Sequence, residues 1–204
     1  MKINLPNQIT IARFVLAIIF CVLLAQFEWR QRERQAWMID CGLALFIIAA
    51  ISDIVDGYIA RKQNQVTSFG RVIDPFVDKI LVCGAFVLLV GENFVRPETG
   101  TTATGMKAWM VVLILGRELL VTGLRGFSEA KGTGYGANLL GKVKMWVQSI
   151  TVCVILASLT YFSGSAGFIE LRQWLIWATV AITTGSLAVY LIQAKDILAE
   201  QSRP

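Results

Sequence analysis

Four aspartates interrupt an otherwise apolar chain. The stretch "AISDIVDGYIARK" closes one hydrophobic run with Asp53 and Asp56, and "RVIDPFVDKIL" opens the next with Asp74 and Asp78. On a helix the first pair is spaced i, i+3 and the second i, i+4, so each pair stacks on one face. Carboxylates gathered in this way repel one another, and placing even one deeper in a bilayer costs on the order of 3 kcal/mol. Positive charge must compensate. It can come from Arg61, Arg71 and Lys79 as ion-pair partners, or from one or two Mg2+ ions held by hard oxygen ligands, with water and substrate phosphates completing each shell. Packing acids at these spacings is an expensive way to build salt bridges and an efficient way to surround a cation, which favours metal.

Histidine is absent from the whole chain. Proton transfer therefore falls to carboxylates, lysines, tyrosines or water, and a metal must be held mainly by oxygen. Cys21, Cys41, Cys83 and Cys153 stand singly in apolar runs, which fits packing and suggests neither a disulfide framework nor a zinc site. Gly57 and Ala60, at i+1 and i+4 from Asp56, leave room for a bulky ligand near the backbone, and Arg61 can hold a phosphate. Small residues in membrane helices also serve plain close packing.

The elements that must position these groups follow from composition. Of 204 residues, 55% are hydrophobic and 16% charged, against roughly 25% charged in soluble domains, and the mean hydropathy is +0.62. A soluble helical bundle of this size has too little polar surface to cover its apolar helices. The expected fold is all-α: a polytopic integral membrane protein forming a single domain over 1–204. Residues 145–169 and 173–194 are uncharged runs long enough to span, apart from their flanks. Residues 9–27, 37–60, 72–90 and 106–124 are apolar runs with charge near one end, which brings the expectation to six transmembrane helices. With the N-terminus inside, 13 of the 19 Lys and Arg residues fall on the inner side. Both termini are then cytoplasmic, although the outer "EWRQRERQ" cluster runs against that rule.

The polar link from Lys62 to Gly70 is short enough to predict that the second and third helices are antiparallel neighbours, bringing both aspartate pairs to one cytoplasmic level. The first apolar run lacks a small-residue cleavage site and is read as a retained helix. "GTGYGAN" lacks the preceding strand of a dinucleotide loop and reads as a helix connection. "SGSAG" is not a nucleophile elbow, since no histidine exists to complete a triad.

Asp53, Asp56, Gly57, Ala60, Arg61, Gly70, Asp74 and Asp78 spell D-x-x-D-G-x-x-A-R, eight residues, G, three residues, D, three residues, D. This pattern resembles the complete signature of the CDP-alcohol phosphatidyltransferases, and six spans in about 200 residues suit that family along the whole chain. The resemblance implies that Asp53, Asp56, Asp74 and Asp78 hold two divalent ions, Mg2+ or Mn2+, against the diphosphate of a CDP-linked lipid. It implies further that Asp78 is the general base for the acceptor hydroxyl, that Gly57, Ala60 and Gly70 make room for the cytidine, and that Arg61 contacts phosphate.

The acceptor must be read elsewhere. Arg117 and Arg125 lie two helical turns apart in "GRELLVTGLRGF", and Lys142 and Lys144 open the next span in "GKVKMWVQ". Such a cluster suits a doubly charged phosphate on the acceptor, whereas Lys131 reads as an ordinary positive-inside residue. These runs also resemble the branch that makes phosphatidylglycerol phosphate, with Met145 where threonine is expected. In "LPNQITIAR" the likeness puts Asn7, Thr10 and Arg13 near the nucleotide; helix capping is the other reading of Asn7 and Thr10. The expected reaction joins CDP-diacylglycerol and glycerol 3-phosphate by direct attack, in a bacterial cytoplasmic (inner) membrane with the active site facing the cytoplasm. A homodimer is the expected assembly, and no nucleic-acid partner is expected. Inositol phosphate is the rival acceptor; a prenyltransferase and an aspartate-lined ion transporter are the rival classes.

Overall fold

In lipid an apolar run must close its backbone hydrogen bonds internally, which selects helix. The computed structural model describes the backbone of residues 5–62, 68–130 and 139–201, and the side chains of 7–55, 73–127 and 141–192. It has six long helices: α1 (Leu5–Gln26), α2 (Arg32–Lys62), α3 (Ser68–Leu89), α4 (Ala108–Ala130), α5 (Leu139–Thr160) and α6 (Ala166–Gln201). No strand occurs among the described residues. The stretches Asn7–Gln26, Trp29–Val55, Gly141–Thr160 and Ala166–Ile192 are long and apolar enough to cross a membrane. The chain is an all-helical integral membrane protein.

One expectation about the helices needs correction. Residues 145–169 are not one span, because α5 ends at Thr160 and α6 starts at Ala166. Ser163, Gly164 and Ser165 supply turn chemistry between them. Aromatic residues on both flanks, with Phe162 stacked on Phe168 at 4.0 Å, keep the composition apolar through the break and hide it from a hydropathy reading. Among the described residues α1 packs extensively on both α2 and α3, which have no extensive contact with each other.

The sequence of α1 explains why it fills that position. Its buried face runs Thr10, Arg13, Ala17, Phe20, Leu24, a helical stripe with polar residues at one end and aromatic and aliphatic ones at the other. Ile11, Val15, Ile18 and Val22 form an exposed face suited to lipid. Phe20 meets Phe46 of α2 at 5.5 Å, and Asn93 Nδ2 donates to the Leu24 carbonyl at 2.7 Å near the helix end. Phe20→Ala leaves a void in this fully buried contact and is expected to cost about 3 kcal/mol, read as a lower thermal midpoint in detergent.

The second half is an α4–α5–α6 group, with α6 packed on both α4 and α5, and α5 also touching α2 and α3. Thr151 and Thr179 hydrogen-bond between α5 and α6 at 2.8 Å, the kind of polar tie that membrane helices use where apolar burial gives no drive. At the end opposite the aspartates, buried Arg172 donates to the Ala103 carbonyl at 3.0 Å and to Ser158 Oγ at 3.1 Å. The aspartate end lies far from the start of α2: Asp53 follows Arg32 by 21 residues, about 30 Å of helix, close to the thickness of a bilayer core.

Candidate active site

The four aspartates lie on α2 and α3, and α1 inserts its polar face between these helices. Arg13, 1% exposed, sits with its Nη1 on Asp53 Oδ1 of α2 and 3.1 Å from Asp78 Oδ1 of α3. One turn earlier on α1, Thr10 Oγ1 donates to Asp74 Oδ1 at 2.7 Å. Asp53 and Asp78 keep 27% and 33% of their side-chain surface exposed, so the cluster remains open to ligand. Within α3, Pro75 lies between Asp74 and Asp78. It cannot donate to the carbonyl four residues back, which loosens the helix beside the cluster.

The sequence predicts compensating charge from Arg61, Arg71 or Lys79 and places Arg13, by resemblance, near the nucleotide; the side-chain surroundings of Arg61 and Arg71 lie outside the described residues. In the structure Arg13 bridges the carboxylates. A lone arginine in an otherwise uncharged apolar run was the available signal, since such a charge needs a partner inside the protein. The capping reading of Asn7 and Thr10 is also corrected, because both lie inside α1, which begins at Leu5. Thr10 uses its hydroxyl on Asp74, and Asn7 lies one turn before it.

Two cavities meet at Asp78. The first, about 290 Å³, includes Lys79, Arg117, Glu118, Arg125, Lys142, Lys144 and Gln148 in its lining. Five cations there face two carboxylates, Asp78 and Glu118. Glu118 bonds both Lys144 and Arg117, the latter at 3.0 Å, and Arg117 Nη2 donates to Ser186 Oγ at 2.6 Å. Arg125 Nη2 donates to the Tyr190 hydroxyl at 2.7 Å. Among the described residues, the buried Nε atoms of Arg117 and Arg125 and the Nε2 of Gln148 have no hydrogen-bond partner. Each is a donor whose burial costs about 1–3 kcal/mol unless an acceptor arrives.

The second cavity, about 270 Å³, is an apolar groove between α2, α3 and α5, lined by side chains such as Ile47, Ile51, Leu81, Trp146 and Ile150 with Asp53 at its margin. Asp78, Val82 and Met145 border both spaces. A water-soluble anion and an apolar chain can therefore approach the same carboxylate from two sides.

A family model described as CDP-alcohol phosphatidyltransferase matches residues 3–185. The chain belongs to the CDP-alcohol phosphatidyltransferase family. It is 42% identical over 177 residues to a CDP-diacylglycerol–glycerol-3-phosphate 3-phosphatidyltransferase of Bacillus subtilis (strain 168), a match that covers 84% of this chain and 86% of the other. A protein of the same name from Rickettsia felis (strain ATCC VR-1525 / URRWXCal2) is 34% identical over 183 residues, covering 88% and 89%. Another, from Salmonella choleraesuis (strain SC-B67), is 30% identical over 207 residues, covering 98% and 100%. Membership makes the protein a transferase and removes the prenyltransferase and ion-transporter alternatives.

Of the CDP-alcohol phosphatidyltransferase signature, Asp53, Asp74 and Asp78 are described with their side chains. Asp56, Gly57, Ala60 and Arg61 fall on α2 and Gly70 on α3, with side-chain surroundings outside the described residues, as are those of Lys131. Among the described residues no three ligating side chains are grouped closely enough to hold an ion. The donor chemistry nevertheless fits a hard cation: Arg13 and Thr10 engage Oδ1 of Asp53, Asp78 and Asp74, which leaves the second oxygen of each carboxylate for another ligand.

Proposed function

We propose that the protein transfers the phosphatidyl group of CDP-diacylglycerol to sn-glycerol 3-phosphate, forming phosphatidylglycerol phosphate and CMP. The observation that carries this reading is the position of Asp78 at the junction of a cationic cavity and an apolar groove. The reaction joins a small anion to a lipid, and a carboxylate between the two spaces can serve both. The names of the three relatives support the choice of acceptor.

On the donor side, the groove takes the apolar part of the CDP-lipid, while Gly57, Ala60 and Gly70 admit the cytidine, Arg61 contacts phosphate, and Asn7 and Thr10 lie beside the nucleotide. Asp53, Asp56, Asp74 and Asp78 are the ligands for two divalent ions, Mg2+ or Mn2+. Bound there, such ions neutralise charge on the diphosphate and on departing CMP. Asp78 accepts the proton of the acceptor's 1-hydroxyl as that oxygen bonds to the lipid-side phosphorus. The bond from phosphorus to the CMP oxygen breaks, and Asp78 then releases the proton to solvent. Attack is direct.

On the acceptor side, Arg117, Arg125, Lys142 and Lys144 hold the phosphate. Arg125→Ala removes a charged donor from the cavity wall and is expected to raise KM for glycerol 3-phosphate about 30-fold, with KM for CDP-diacylglycerol nearly unchanged. Initial-rate measurements of CMP release check it. All six helices cross a bacterial cytoplasmic membrane as one domain, with both termini and the aspartate end on the cytoplasmic side, and the protein works as a homodimer.

Mass spectrometry of the products tests the chemistry. The expected result is phosphatidylglycerol phosphate and CMP in equal amounts. A phosphatidyl group trapped covalently on any residue would contradict direct attack.

A further inference from the structure

Arg117 and Arg125 carry like charges and stand two turns apart on α4, yet both turn toward one side chain of α6. The Arg117 guanidinium lies 5.2 Å from the ring centroid of Tyr190 and that of Arg125 lies 5.6 Å from it. Both are inside the range of about 6 Å in which a ring face attracts a cation. The Tyr190 hydroxyl also accepts the hydrogen bond from Arg125 Nη2 at 2.7 Å. Tyr190 is fully buried, and it does not line the cavity that both arginines line.

We propose that Tyr190 is a positioning residue for the acceptor phosphate, its ring and hydroxyl holding the guanidinium groups of Arg117 and Arg125 together at the cavity wall. This rests on the reading that the cavity binds the phosphate of glycerol 3-phosphate. Two guanidinium groups left to themselves repel and explore many rotamers, so a dianion binding between them would have to order both. A shared ring, with its hydroxyl accepting from Arg125, offsets the repulsion and fixes the pair before the anion arrives. No other described contact does this. Ser186 reaches Arg117, and Glu118 pairs with Arg117 and Lys144, while Tyr190 alone engages both arginines. Tyr190 lies on α6, outside the family signature, and no spacing in the sequence points to it.

The test compares Tyr190→Phe, which keeps the ring, with Tyr190→Leu, which removes it. It uses the full chain in detergent with CDP-diacylglycerol and Mg2+, following CMP release at varied glycerol 3-phosphate and its competitive inhibition by inorganic phosphate. Tyr190→Phe is expected to raise both KM for glycerol 3-phosphate and the phosphate inhibition constant about fivefold. Tyr190→Leu should raise both about 30-fold. In each variant kcat and KM for CDP-diacylglycerol should stay within about twofold of the parent, since only acceptor binding is weakened. Unchanged acceptor KM and phosphate inhibition would overturn the proposal, as would a joint loss of kcat, both KM values and thermal stability, which would mark Tyr190 as a packing residue. If Tyr190→Leu does not fold, Tyr190→Phe decides. A parent protein that ignores glycerol 3-phosphate overturns the functional reading and this inference with it; an active parent with indifferent variants overturns the inference alone.

Discussion

Asp78→Asn is expected to lower CMP release by about a thousandfold or more at saturating substrates, because on the proposed mechanism it removes a base and a metal ligand together. Asparagine has nearly the same shape, so the packing of α3 around Val77 and Leu81, both buried, should persist. The amide cannot take a proton from the acceptor hydroxyl. Among the described residues the nearby carboxylates are already engaged, Asp53 by Arg13, Asp74 by Thr10 and Glu118 by Arg117 and Lys144, and the chain has no histidine. KM for glycerol 3-phosphate should move little, since the phosphate is assigned to groups on α4 and α5. Substantial activity in a folded Asp78→Asn protein would remove Asp78 from the chemistry and leave the junction of the two cavities without a catalytic meaning.

Chelation should have an effect of similar size. Adding a chelator of divalent ions to the purified protein is expected to reduce CMP release by about a thousandfold or more, with recovery on addition of excess Mg2+ or Mn2+. The reason is charge. Asp53, Asp74 and Asp78 are carboxylates in adjacent turns of α2 and α3, and Arg13 supplies one positive charge between two of them. A diphosphate brought to this cluster adds further negative charge, which one buried arginine does not balance. Asp53→Asn or Asp74→Asn should raise the Mg2+ concentration needed for half-maximal rate. Full activity in chelator, with thorough removal of ions verified by elemental analysis, would mean that basic residues alone carry the donor phosphates.

Much of this was legible from the chain. Apolar length and the physics of backbone in lipid predict the helices that are found, and the spacing of Asp53, Asp56, Asp74 and Asp78 predicts shared faces and a metal chemistry that the chelation experiment tests. Helical spacing tells which residues share a face; it does not tell which helix lies opposite. The placement of α1 between α2 and α3 was therefore hidden, and with it the pairing of Arg13 with residues 40 and 65 positions away. Tyr190 and Ser186 were hidden for the same reason: their partners lie 65 and 69 positions away. Arg117, Arg125, Lys142 and Lys144 were suggested as a group by charge alone, and they line one cavity. The break between α5 and α6 escaped because its flanks are aromatic and a hydropathy average does not register a Ser-Gly-Ser turn.

The central claim is that one carboxylate cluster joins a CDP-lipid to a phosphorylated small alcohol. The most direct measurement is CMP release by the purified protein from CDP-diacylglycerol and Mg2+, compared across glycerol 3-phosphate, inositol phosphate, inositol, serine and water. Release with glycerol 3-phosphate alone is the predicted result. Preference for an unphosphorylated acceptor, or equal release with every acceptor including water, would contradict it.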